Sequence, residues 1–221
     1  DFCLSRGLGD VYKRQPPTMA GMRVGLFGGS FNPPHRGHLL VAETALRRLG
    51  LDRLWWMVTP GNPLKDHGVL APLGERLALS EALARDPRID VTAFEAAAAI
   101  RFTADTVRLV AARRRDVEFV WVMGADSLAT FHRWQDWQFI AAAMPIAVVD
   151  RPGSTLSLLS SPMAQRFQRW RMPERSARAL PGARPPAWVF LHGPRSALSS
   201  TALRSNCLLY TSDAADDMQC V

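Results

Sequence analysis

Short apolar runs and amphipathic stretches alternate along the chain between residues 24 and 204. The runs at 24–27, 54–59, 119–123, 146–149 and 188–192 are apolar nearly throughout, which is the pattern of strands covered on both faces. A run at 89–94 alternates and predicts a further strand. Between the first two, Leu39, Leu40, Ala42, Ala45, Leu46 and Leu49 recur at helical spacing, with Arg47 and Arg48 late and Gly50 as the stop. Residues 73–85 predict a second helix, with Leu77, Leu79, Leu83 and Ala84 on its buried side. Thr103 is placed to cap a third, which carries Thr106, Val107, Val110 and Ala111. Shorter helices are expected at 127–132 and 137–143, one near 163–170, and a helix start at 196–204. Residues 154–186 show no other period, with prolines, serines and arginines between weak apolar groups. Strands that alternate with helices predict an α/β fold of Rossmann-like type. Its doubly wound, mostly parallel sheet would form one domain, with ligands at the C-terminal strand ends.

Composition changes that picture at the two ends. The chain has 221 residues and a formal charge of +7. Residues 1–18 and 206–221 have no period that continues into their neighbours, and all three cysteines, Cys3, Cys207 and Cys220, lie in them. They are expected to be non-native or disordered flanks around a domain at 19–205. That body holds no cysteine, so a disulfide framework, a zinc knuckle or a thiol nucleophile is excluded from it. Residues 1–18 carry three basic and two acidic groups and residues 206–221 three acidic ones, which leaves the body at +9. Such a balance attracts anions. The densest basic run, Arg113-Arg114-Arg115, is expected to end a helix rather than to bind nucleic acid. No apolar run reaches the ~20 residues that span a bilayer, so a cytoplasmic protein without membrane contact is expected.

The chemistry gathers at Gly28-Gly29-Ser30-Phe31-Asn32-Pro33-Pro34-His35-Arg36-Gly37-His38, between the first strand and the first helix. Gly28 and Gly29 permit positive φ and close approach of a ligand, and Pro33 and Pro34 suit a helix entry. A helix N-terminus leaves about four N–H donors unpaired and carries roughly half a positive charge, so this corner suits phosphate. His35 and His38, three apart, are expected to face the same anion from the first turn. A metal pair is the alternative, but no Cys, Asp or Glu within the motif completes a shell. Neither G-x-G-x-x-G nor the P-loop pattern describes these residues. The loops at 61–65, 124–127 and 151–153 also follow predicted strands, which brings Lys65, Asp126 and Arg151 to the same sheet edge.

The eleven residues closely resemble the G-G-[ST]-F-[DN]-P-x-H-x-G-H signature of the nucleotidyltransferase superfamily. The segments NPLK, FTADT, FVWVMGADSLATFHRWQDW, VVDRPG and SSTALR resemble, in order, those of the bacterial nicotinate-nucleotide adenylyltransferases, over essentially all of residues 22–204. The resemblance implies that Gly28, Gly29, Ser30, Phe31, His35 and His38 lie along ATP and the reacting phosphates. It further implies that Ser199, Ser200, Thr201 and Arg204 hold the triphosphate from the opposite side. Gly124 and Asp126 would hold the ribose or the adenylate side, and Trp134 would stack on the pyridine ring. Thr103 and Thr106 would hydrogen-bond the mononucleotide, and Lys65 and Arg151 would meet acidic oxygens.

His35, His38 and Arg204 are the expected catalytic groups, acting by position and charge rather than as a general base. ATP is then a substrate, and Mg²⁺ is held mainly by substrate phosphates, so no metal ligands are assigned to the protein. Three rivals stay open from sequence: a phosphopantetheine acceptor, the amidated mononucleotide, and a basic nucleic-acid-binding module without catalysis. Trp134 and the length of the body argue against the first. Nucleic acid is not an expected partner.

Overall fold

The computed structural model describes residues 16–61, 70–150 and 160–193. Among these, seven strands form one sheet in the order β3-β2-β1-β4-β5-β7-β6, and every neighbouring pair is parallel. The strands are β1 (Arg23–Gly29), β2 (Arg53–Val58), β3 (Ile89–Thr92), β4 (Glu118–Gly124), β5 (Ile146–Val149), β6 (Arg171–Met172) and β7 (Trp188–Leu191). The helices are α1 (Arg36–Leu49), α2 (Leu73–Leu83), α3 (Phe94–Ala97), α4 (Thr103–Arg113), α5 (Ala125–Thr130), α6 (Trp137–Ala143) and α7 (Pro162–Arg166). None of them is long and apolar enough to cross a membrane.

The apolar runs explain the two cores. In β4, Phe119, Trp121 and Met123 face one side with Trp55 of β2, packed against α4, α5 and α6. Val120 and Val122 face the other with Trp56, packed against α1 and α2. A strand whose alternate residues feed two cores cannot be amphipathic, which is why these runs are apolar throughout. Trp55, Trp56, Trp121 and Trp188 are fully buried, so most of the tryptophans are packing residues.

Several boundaries differ from expectation, each for a local reason. The strand expected over 89–94 stops at Thr92, whose hydroxyl accepts the Phe94 N–H at 3.1 Å and turns the chain into α3. Thr103 is the first residue of α4 rather than its cap; Phe102 holds the cap position without a side-chain hydrogen bond. The loop expected at 124–127 is absent, because α5 starts directly from Gly124. Residues 154–186, weakest in period, supply β6 at the sheet edge, and two residues are too short to show alternation. The helix near 163–170 is α7 followed by a 3₁₀ turn at Gln168–Trp170. The helix start at 196–204 lies outside the described residues. The arginine run does end a helix: Arg114 caps α4, pairs with Asp116 at 2.9 Å and donates to the Thr18 carbonyl at 3.0 Å. That contact ties a residue of the expected N-terminal flank to the body.

One buried side chain holds the strand ends that carry the site. Arg76 of α2 is 1% exposed, and its guanidinium donates to the carbonyls of Ser30 at 2.7 Å, Thr59 at 2.8 Å and Ala71 at 2.8 Å. Ser30 follows β1 and Thr59 follows β2, so a single planar fork fixes two adjacent loops. Arg76→Met fills similar space but strands those carbonyls, and should lower unfolding stability by about 3 kcal/mol. Urea titration measures this; a loss under about 1 kcal/mol would mean that water replaces the fork.

Candidate active site

The chain runs from β1 outward to β2 and β3, then returns to β4 on the opposite side of β1. The C-terminal ends of β1 and β4 are therefore the topological switch point, where a parallel sheet opens a crevice. A cavity of about 360 Å³ lies there. Gly28, Gly29 and Ser30 line it from β1, Trp121 and Ser127 from β4 and α5, and Thr103 with Trp134 from the far wall.

The two glycines are required by packing rather than by backbone conformation. A Cβ on Gly28 would come within 3.0 Å of the Trp121 ring, and one on Gly29 within 3.0 Å of the Phe31 ring. The positive φ expected of these glycines belongs instead to Phe31, at 44°. Its ring is 2% exposed and packs on Trp56, Phe27 and His38 at centroid distances of 4.7, 5.3 and 5.0 Å. Phe31 thus anchors the loop from below, and only its backbone can approach a ligand. Left-handed strain in a buried residue beside a binding loop persists only because the surrounding contacts over-determine it.

The histidines are arranged differently from the expected parallel pair. His35 is the N-cap of α1 and is 5% exposed; its Nδ1 accepts the Gly37 N–H at 3.1 Å. His38, half-buried at the third helical position, turns its Nδ1 back to accept the His35 N–H at 3.2 Å. Together they close a capping box, with ring centroids 3.8 Å apart. Two amides expected to be bare are thus occupied by imidazole. The consequence is chemical: a nitrogen that accepts carries no proton, so each neutral ring holds its proton on Nε2. No acidic residue sits in the first turn of this 14-residue helix, and its positive end is uncompensated there.

The remaining expected residues divide three ways. Thr103 and Trp134 line the cavity, and Trp134 is held edge-on by Trp121 at 6.2 Å and by Phe131 at 5.2 Å. Gly124 is buried at the end of β4, and Asp126 lies exposed in the first turn of α5. Thr106 does not reach the cavity: it is fully buried, and its hydroxyl donates to Glu95 Oε1 at 2.7 Å. The expected contact of Thr106 with a mononucleotide is therefore replaced by a hydrogen bond to a carboxyl that does line the cavity. Lys65, Arg151, Ser199, Ser200, Thr201 and Arg204 lie outside the described residues.

Glu95, Arg101 and Arg133 line the cavity and were not singled out from sequence. The signals were present: Glu95 is the lone charge in an alanine-rich stretch, and the arginines flank Phe102-Thr103 and Trp134. Burial, partly offset by the Thr106 hydroxyl, pushes the Glu95 carboxyl above its ordinary range and favours its neutral form. Among the described residues, no group of three or more His, Cys, Asp or Glu could hold a metal ion.

A parallel sheet with an uncompensated helix N-terminus after its first strand and an aromatic-walled crevice at its switch point has the architecture of a nucleotide-binding α/β protein. The chain belongs to the cytidylyltransferase-like family, whose model matches residues 26–206. It is 70% identical over 184 residues to a probable nicotinate-nucleotide adenylyltransferase of Rhizobium meliloti, covering 83% of this chain and 98% of that relative. A Brucella abortus protein of the same description is 68% identical, over 83% of this chain and 94% of its own. The fold is similar to that of a solved Plasmodium falciparum nicotinic acid mononucleotide adenylyltransferase complexed with APC. That match has a TM-score of 0.62 at 13% identity and covers 83% of each chain. The same enzyme complexed with NaAD gives a TM-score of 0.61 over 82% of each chain. The chain is a nucleotidyltransferase.

The raised pKa of Glu95 has a signed effect on stability. At low pH its carboxyl is protonated folded and unfolded, and it costs nothing. As pH rises past the usual carboxylate range, the unfolded chain ionises first and the folded state loses ground. Glu95→Gln keeps an acceptor for Thr106 and removes that loss. Its gain in Tm should be near zero at about pH 4 and grow towards about pH 8. A gain independent of pH in thermal melts would contradict the assignment.

Proposed function

We propose that this chain transfers the adenylyl group of ATP to nicotinate mononucleotide, giving nicotinate adenine dinucleotide and pyrophosphate, a step of NAD biosynthesis. The observation that carries the reading is an aromatic-walled crevice at the glycine end of β1, the strand whose loop leads into the α1 cap. The α1 cap offers phosphate donors, and Trp134 and Thr103 offer a stacking wall with a hydroxyl. Relatives identical at 68–70% over nearly their whole length carry that activity in their names.

In the reaction, a phosphate oxygen of the mononucleotide attacks the α-phosphorus of ATP. A new P–O bond forms, the bond to the β-phosphate oxygen breaks, and pyrophosphate leaves with its electron pair. The nucleophile is already an anion, so no side chain need remove a proton. What the protein supplies is alignment and charge compensation. In this reading the Nε2–H of His38 and the positive end of α1 face the phosphates, His35, with its Nε2 buried, holds that end of the helix in place, and Trp134 stacks on the pyridine ring. Gly28, Gly29 and Ser30 give the phosphates a floor without side-chain bulk.

Lys65, Arg151 and the Ser199, Ser200, Thr201 and Arg204 group complete the phosphate envelope in this reading. Asp126, with Gly124 beneath it, serves the ribose side. Magnesium fits a site without an acidic cage, because it retains waters and binds through substrate phosphates. When bound there, it neutralises charge on the polyphosphate. A cytoplasmic setting belongs to this reading.

The direct assay is pyrophosphate release with ATP and Mg²⁺ against nicotinate mononucleotide, its amide and phosphopantetheine. The first should be turned over fastest; silence with it would overturn the reading. His38→Ala should lower kcat about a hundredfold, as for loss of a preorganised donor to developing charge. It should also cost about 1 kcal/mol through the opened cap. An unchanged kcat would remove His38 from the chemistry.

A further inference from the structure

The charges lining the cavity are unequal in a way that the transfer reaction itself does not demand. Arg101 and Arg133 are both exposed at its rim, beside Phe102-Thr103 and Trp134, and neither has a carboxylate partner among the described residues. Arg101 places its guanidinium carbon 5.6 Å from the Phe102 ring centroid, above the wall that holds Thr103. The carboxylates closest in sequence on this wall, Asp105, Asp136 and Glu95, have partners elsewhere. Asp105 and Asp136 are tied to Arg108, at 2.9 and 2.6 Å. Glu95, the acidic group in the lining, is 5% exposed, accepts the Thr106 hydroxyl and is driven by burial towards its neutral form. The wall around Trp134 therefore presents positive charge.

Resting on the proposed reaction, the geometry points to Arg133 and Arg101 as the residues that select a pyridine ring bearing a carboxylate over one bearing a carboxamide. The acid and amide mononucleotides share the ribose, the 5′-phosphate and the pyridinium ring, and differ by one negative charge on the ring substituent. A cation that served only the phosphate would favour both alike. A cation beside the stacked ring separates them, since a carboxylate accepts a charge-assisted hydrogen bond and a carboxamide does not match it. Two arginines at an open rim act through screened water, so the discrimination should weaken as salt rises.

The test is the ratio of kcat/KM for the acid to that for the amide, read with the full chain. The parent should favour the acid, and raising ionic strength should lower the ratio. The double variant Arg101→Gln with Arg133→Gln should cut it about tenfold or more. Arg133→Lys should keep most of it, and Arg113→Gln, at the far end of α4, should leave it unchanged. A ratio unaltered in the double variant, or equal losses with both acceptors, overturns the assignment and moves these cations to the phosphate. Quenching of tryptophan fluorescence by each mononucleotide reads the same selection without turnover. Selective binding without pyrophosphate release would keep the selection and sink the reaction; release with both acceptors at equal efficiency would do the reverse.

Discussion

The structure depends on how the first turn of α1 is capped. A helix entering from a loop must satisfy its leading amides or leave them to a ligand or to water. Here two imidazoles share that task, His35 through the Gly37 amide and His38 through the His35 amide. The cap uses Nδ1 of each ring and so assigns the proton to Nε2. A stabilising motif of the fold thereby orients both rings, and protonating either Nδ1 would cost the helix a cap bond. Phe31 packs against His38, and Arg76 grips the Ser30 carbonyl, so the cap is braced from both sides.

The sheet order decides what the cap meets. Because the chain leaves β1 in one direction and returns as β4 on the other side, the glycine end of β1 faces Trp121 and the start of α5. Trp121 has two roles there. Its ring lies where a side chain on Gly28 would sit, and its edge holds Trp134 in the opposite wall. The glycine end of β1 and the wall that carries Trp134 are thus coupled through one buried indole. The alternating burial of β4 places that indole on the cavity side while Val120 and Val122 hold the opposite core.

Most of the architecture was legible because doubly covered strands must be apolar throughout. The runs at 146–149 and 137–143 match β5 and α6 residue for residue. What failed were features set by one local contact or by distance in three dimensions. The hydroxyl of Thr92 ends β3, and a two-residue β6 has no period to read. In the site, spacing pointed to His35 and His38 and the family resemblance to Thr103 and Trp134, but neither to the use of each imidazole nitrogen. The resemblance also implied a ligand contact for Thr106; the structure turns its hydroxyl inward to Glu95. Arg76 carries no local signature, and the weak local signals of Glu95 and the rim arginines gain meaning only from walls and counter-charges distant in sequence.

The account rests on the tautomers fixed by the cap, and nitrogen-resolved NMR of the histidine side chains reads them directly. His35 and His38 should both appear as neutral rings protonated at Nε2, with Nδ1 in the acceptor range. The Nε2 resonance of His38 should move when ATP is added, and the Nδ1 resonances of both rings should stay in place. Rings protonated at Nδ1, or a His38 Nε2 resonance indifferent to ATP, would contradict a phosphate site built on this helix cap.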